Sequence, residues 1–160
     1  MVSYFITEKF TLIPKHLYNQ NYLYEMFTVT DQDIVRSIEL EKQNAILAFV
    51  APKNNSSEEE LPLVHGLIEY AYTLQDHNKV VINYCKEKNL SHIVAIEGDR
   101  LLLANTYRTT DIKSILYYAT LVTQQVMFNP HLTKVHIYGA LEKDGVELLD
   151  KYFSGVTIKV

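Results

Sequence analysis

Cysteine is nearly absent from this chain, with Cys85 the only one in 160 residues. An intrachain disulfide and a multi-cysteine metal site are both excluded, and such usage suits a reducing, cytoplasmic compartment. Tryptophan is missing altogether while tyrosine occurs 12 times, so the aromatic content is mostly rings with a polar tip, which half-bury well. No run of Lys and Arg occurs, and the formal net charge is -4. Nucleic acid is not an expected partner, because affinity for it comes chiefly from cations that neutralise phosphates. No stretch approaches the roughly 18 apolar residues of a membrane-spanning helix. The start of the chain carries Glu8 and Lys9 where a signal peptide needs an unbroken apolar segment. Neither export by that route nor a membrane span is expected. The sequons Asn55-Ser56-Ser57 and Asn89-Leu90-Ser91 are read as turn residues.

What is present is globular in character. A hydrophobic fraction of 48% with 21% charged residues supports a packed core, and the length fits one ordinary domain or two small lobes. The clearest break in composition is 52–60, where Lys53, Asn54, Asn55, Ser56, Ser57 and three consecutive Glu separate apolar segments; this reads as a solvated loop. Before it, 10–13 reads as a strand and Pro14 opens a helix over 15–27. Ile34, Ser37 and Leu40, then the apolar run 45–51, suggest two strands joined by a turn at 41–44, the second buried on both faces. After the loop, 61–64 suggests a short strand and 66–74 a helix.

From Lys79 the pattern sharpens. Residues 80–84, 92–96 and 101–104 read as three antiparallel strands, with a polar turn at 86–89 and a tight Gly98-Asp99 turn. Thr110 is the expected N-cap of a helix whose apolar face carries Ile112, Ile115, Leu116, Ala119, Val122 and Val126. Asn129-Pro130 ends it. Residues 135–138 form a strand broken by Gly139, a helix through Val146, Leu149, Tyr152 and Phe153 follows, and 156–160 closes the chain as a strand. Two strand-helix-strand connections of this length allow parallel crossovers. The expected fold class is α/β, with a β-β-β-α-β-α-β core over 79–160.

That order is the core of the ribonuclease H-like and actin-like ATPase superfamily. The run Leu101-Leu102-Leu103-Ala104-Asn105-Thr106-Tyr107, then Asp111, Tyr117-Tyr118, Val135-His136-Ile137-Tyr138-Gly139 and 149–153, resembles an uncharacterised family of Bacteroidetes proteins, a domain of unknown function with an actin-like ATPase fold. Phe10-Thr11-Leu12-Ile13-Pro14 with Leu17-Tyr18 is similar to a mid-chain segment of those proteins. The resemblance implies a ribonuclease H-like C-terminal lobe at 79–160 and a partial, smaller N-terminal α/β lobe at 1–78 that lacks its opening strands, whether as a natural short form or as a fragment.

It also implies where nucleotide chemistry belongs. Actin-like ATPases bring a Gly-rich hairpin and an Asp from each lobe to the phosphates, and a Gly-Gly turn to the adenosine. Glycine is needed because backbone amides must approach phosphate oxygens, and carboxylates because Mg²⁺ takes hard oxygen ligands. Here the corresponding hairpin, Tyr84-Cys85-Lys86-Glu87-Lys88-Asn89-Leu90, has neither Gly nor Asp, and Tyr138-Gly139-Ala140 retains one Gly. A ribonuclease H-type nuclease would need clustered carboxylates for two metal ions, yet the only polar residue central in the first strand is Asn83. Glu97 reads as a turn carboxylate, and Asp111 as a helix N-terminal charge. His131 and His136 fall on a loop and a strand, and Cys85, beside Lys86 and Lys88, is read as a buried inert thiol or a plain exposed one. No residue is assigned a catalytic, cofactor-binding or metal-ligating role, and no cofactor is expected. The leading expectation is a non-catalytic actin-like scaffold, a pseudo-ATPase acting through protein contacts or self-association. The alternatives are a degenerate nucleotide-binding protein with an altered site around Gly139, or a small-molecule binding domain.

Overall fold

The structure, a computed structural model, describes residues 2–160. It forms two compact units, Met1–Gly66 and Leu67–Val160.

In the first unit, β1 (Ser3–Phe5) lies parallel to β5 (Glu60–Pro62), and β2 (Phe10–Pro14), β3 (Asp33–Leu40) and β4 (Ala45–Pro52) form an antiparallel sheet in the order β2-β4-β3. Central β4 is buried from Ile46 to Ala51, which explains its unbroken apolar sequence. One face packs Ile46, Ala48 and Val50 with Ile13, Leu23 and Val35. On the other, Phe49 meets the ring of Phe5 at 6.0 Å and the Arg36 guanidinium at 5.1 Å. Arg36 also donates to the carbonyls of Asn55 and Glu60, both at 2.7 Å, and of Ser57 at 3.0 Å. The polar loop at 52–60 is thus pinned from within by one cation.

The helix expected at 15–27 is instead a pair of 3-10 segments, Lys15–Leu17 and Gln20–Met26. Asn19 interrupts them: its side chain accepts from the Asn21 amide at 3.0 Å, an alternative to continuing the helix. Further on, α1 (Leu63–Tyr72) starts earlier than expected, so Val64 is helical.

The second unit holds a five-stranded sheet in the order β10-β9-β6-β7-β8, built from β6 (Asn78–Cys85), β7 (Leu90–Glu97), β8 (Arg100–Arg108), β9 (Lys134–Tyr138) and β10 (Gly155–Lys159). β6, β7 and β8 are antiparallel neighbours, while β9 runs parallel to β6 and β10 parallel to β9. This is the expected β-β-β-α-β-α-β order, with α2 (Ile112–Gln125) and α3 (Lys143–Tyr152) as the crossovers. Gly98 takes φ +62 in the β7–β8 turn, a conformation that only glycine adopts freely. Val80, Ile82, Ile93, Ala95, Val135 and Ile137 of the sheet form one core with Ile115, Ala119 and Val122 of α2 and Leu149 of α3. Leu116, expected in that core, is only partly buried at its margin, because it stands one residue round from the Ile115, Ala119 and Val122 stripe. On the opposite face, Tyr70 of α1 meets Tyr138 at 5.1 Å, and Lys79 donates to the Leu74 carbonyl at 2.8 Å. No helix of the described residues is long and apolar enough to cross a membrane.

Candidate functional site

Parallel β6 and β9 end at the same edge of the sheet, and beyond their carboxyl ends lies a cleft of about 670 Å³. In open α/β sheets this is where ligands sit, because chains leaving adjacent strands in different directions open a crevice there. Its walls are Tyr84 from the end of β6, Ile112 and Lys113 from the start of α2, and Ala140 and Leu141 from the segment after β9. The lining is largely apolar. Lys86 and Glu142 face each other across it at 3.2 Å, an exposed pair that contributes little to stability.

The start of α2 forms one wall of the cleft. Asp111, not Thr110, is the N-cap: its Oδ1 accepts from the Ser114 amide at 2.8 Å, and Ser114 Oγ accepts from the Asp111 amide at 3.1 Å. Asp111 takes the cap because Ser114 stands three residues after it and completes a reciprocal capping box. The Ser114 amide, then its hydroxyl, hold the Asp111 carboxyl below its ordinary pKa. A helix N-terminus is a natural anion site, but here a resident carboxylate already occupies it.

The turn between β6 and β7 carries no glycine. Lys86–Lys88 forms a 3-10 turn and Asn89 takes the left-handed conformation at φ +51. Gly139 has φ +115, and a Cβ there would stand 3.1 Å from Asn83 Nδ2. Asn83 donates that nitrogen to the Tyr138 carbonyl at 2.7 Å. Asn83 is therefore engaged with the backbone just before Gly139, as a clamp between β6 and the end of β9.

The remaining candidates lie apart. Glu97 pairs with Arg100 at 3.5 Å across the Gly98 turn. His131 is exposed in the 3-10 turn Pro130–Leu132, whereas His136 is buried on β9. Cys85 is a half-exposed free thiol. Tyr118 stacks on Tyr107 at 4.7 Å, and its neighbour Tyr117 is 62% exposed. Among the described residues, no group of three His, Cys, Asp or Glu is placed to hold a metal ion.

One constellation escaped the sequence reading altogether. His136 lies 2.6 Å from Asp76 Oδ2 and 2.5 Å from Thr157 Oγ1. Its only advance signal was the equal phase of His136 and Thr157 in adjacent apolar strands, and Asp76, in the turn before β6, carried none.

Known proteins extend the picture. A solved structure from Bacteroides thetaiotaomicron VPI-5482, a protein with actin-like ATPase fold and unknown function, matches with a TM-score of 0.80 and 24% sequence identity, over 96% of this chain. The present chain spans 66% of that protein. No curated protein matches. The fold is thus that of the actin-like ATPases, α/β with a ribonuclease H-like core. Residues 3–156 match the family described as "Protein of unknown function (DUF3822)", and the chain belongs to that family.

Proposed function

We propose that this chain is a non-catalytic actin-like scaffold that works in the cytoplasm through protein contacts, with 79–160 as its ribonuclease H-like lobe and 1–78 as a partial second lobe. The carrying observation is the start of α2, where the Asp111 carboxylate takes the amide that a phosphate would need. A phosphate entering there would meet the Asp111 carboxylate where it needs an amide, with the single glycine Gly139 just before the Ala140 wall. Contact surface is available instead. Leu17, Tyr22, Tyr24 and Met26 are exposed on the 3-10 segments of the first unit, and Tyr and Met are enriched in the cores of protein interfaces.

The cleft itself favours a second reading, a nucleotide or other flat small molecule held without hydrolysis. Its volume is within the range of small-molecule pockets, and Tyr84 and Leu141 line it. Thermal unfolding with and without millimolar Mg²⁺-ATP separates the two, because a ligand that binds only the folded state raises the melting temperature. The scaffold reading expects no shift and no phosphate release above background. A shift without phosphate release would establish the second reading. Mg²⁺-dependent release by the pure protein, abolished by Gly139→Ala or Asn83→Ala but not by surface changes, would overturn both.

A further inference from the structure

In the parallel pair β9 and β10, Thr157 stands directly opposite His136. Side chains at one level of adjacent strands share a face, which brings His136 Nδ1 to 2.5 Å from Thr157 Oγ1. The other ring nitrogen, Nε2, is 2.6 Å from Asp76 Oδ2. Elementary chemistry then places the protons. A carboxylate only accepts, so Nε2 carries hydrogen; in the neutral ring Nδ1 is the bare lone pair, and the Thr157 hydroxyl must donate to it. The order is carboxylate, imidazole, alcohol, with a base aimed at a hydroxyl proton and a third group fixing the tautomer.

The surroundings favour the neutral base. Burial holds His136 below its ordinary pKa; Asp76 pulls the other way, and the cations Lys134 and Lys79 reinforce the burial. Lys134 reaches to 3.9 Å from Asp76 Oδ1, and its stem crosses Gly155, where a Cβ would lie 3.3 Å from it. His136 is buried, but Thr157, on the edge strand, is exposed.

From this geometry we propose that Thr157 is a site of covalent acylation, its hydroxyl deprotonated by His136 and the ring oriented by Asp76, with an activated ester as acyl donor. Thr157 Oγ1 bonds to the acyl carbon as its proton passes to His136 Nδ1. The C–O bond of the ester breaks, and the leaving alcohol takes that proton from Nδ1, restoring the neutral ring. Nothing is oxidised or reduced. Each chain gains one acyl group, so the event is a modification, independent of the cleft and compatible with a scaffold that turns nothing over. Asp76 is a positioning residue in this scheme.

The probe is p-nitrophenyl acetate, incubated with the full chain and followed by intact mass and peptide mapping. The expected result is one acetyl group on Thr157, lost in Thr157→Val and kept in Thr157→Ser. Asp76→Asn should slow labelling about a hundredfold, the scale of general-base catalysis, and Asp76→Glu should restore part of the rate. The rate on Thr157 should rise with pH and level off once His136 is neutral, below the ordinary histidine value, and the midpoint should move lower in Asp76→Asn. Acetyl groups on lysines alone would overturn the proposal. So would Thr157 labelling that climbs without a plateau into alkaline solution, or labelling indifferent to Asp76→Asn. Thr157→Val removes the donor to buried His136 Nδ1 and should lower the melting temperature somewhat, so Thr157→Ser, which keeps the hydroxyl and should keep the label, separates lost chemistry from lost folding.

Discussion

Acid should weaken this fold through a single fully buried imidazole. His92 lies in β7, where every residue from Leu90 to Ile96 is buried, and its strand neighbours are Asn83 on β6 and Thr106 on β8. Burial pushes its pKa down from 6.5 to about 4, because a charged ring would lose its hydration there. Between those values the unfolded chain binds more protons than the folded one, so stability is complete above the unfolded pKa and declines as pH falls toward the folded one. The gap corresponds to about 3 kcal/mol at its acid end, of which about 2 kcal/mol is lost between pH 7 and pH 5. That is a large share of the roughly 5–15 kcal/mol stabilising an ordinary domain. Urea unfolding of the wild type and of His92→Leu across this range measures it, since leucine fills similar space without titrating. His136 is shifted in the same direction and contributes equally to both proteins, so the difference between the two curves isolates His92. Wild-type and variant stabilities that fall in parallel would refute the reasoning.

Two further substitutions test the second unit. Ile115→Ala should cost about 2–5 kcal/mol by opening a cavity in the sheet-helix core, whereas Leu116→Ala, at its margin, should cost roughly 1–2 kcal/mol; denaturant unfolding giving equal losses would mean that the burial of α2 is misplaced. Gly139→Ala should destabilise by roughly 1–3 kcal/mol, because alanine is strained at φ +115 and would crowd Asn83. A melting temperature unchanged in that variant would show that the β9 end relaxes freely.

The second unit was legible because its signals are local. Val80, Ile82, Ile93 and Ala95 alternate through β-branched strands, Gly98 marks a turn that needs positive φ, and α2 repeats its apolar face at helical spacing. The first unit was less so. At 15–27 the spacing of Leu17, Tyr18, Tyr22 and Leu23 suits a helix, but a local hydrogen bond from the Asn21 amide to the Asn19 side chain competes with it, and periodicity carries no record of that competition. The role of Arg36 was invisible for another reason: its three carbonyl partners lie 19 to 24 residues away. Asp76 was hidden in the same way, 60 residues from the imidazole it touches. Residues whose function depends on one long-range side-chain contact leave no periodic trace.

Two hairpins of this fold turn without glycine. The β6–β7 turn is Lys86–Lys88 followed by left-handed Asn89, and the β3–β4 turn is Glu41–Gln43 followed by left-handed Asn44. Each hairpin needs one residue at positive φ to reverse the chain, and asparagine tolerates that conformation at little cost. Phosphate binding asks more of the same turn, namely several amides bare enough for oxygen atoms to approach, which in practice requires glycine. The first requirement is met at Asn44 and Asn89, and neither turn carries a glycine for the second. Geometry and chemistry are therefore separable at this position, and a chain can retain the hairpin without the glycines that close phosphate approach asks for.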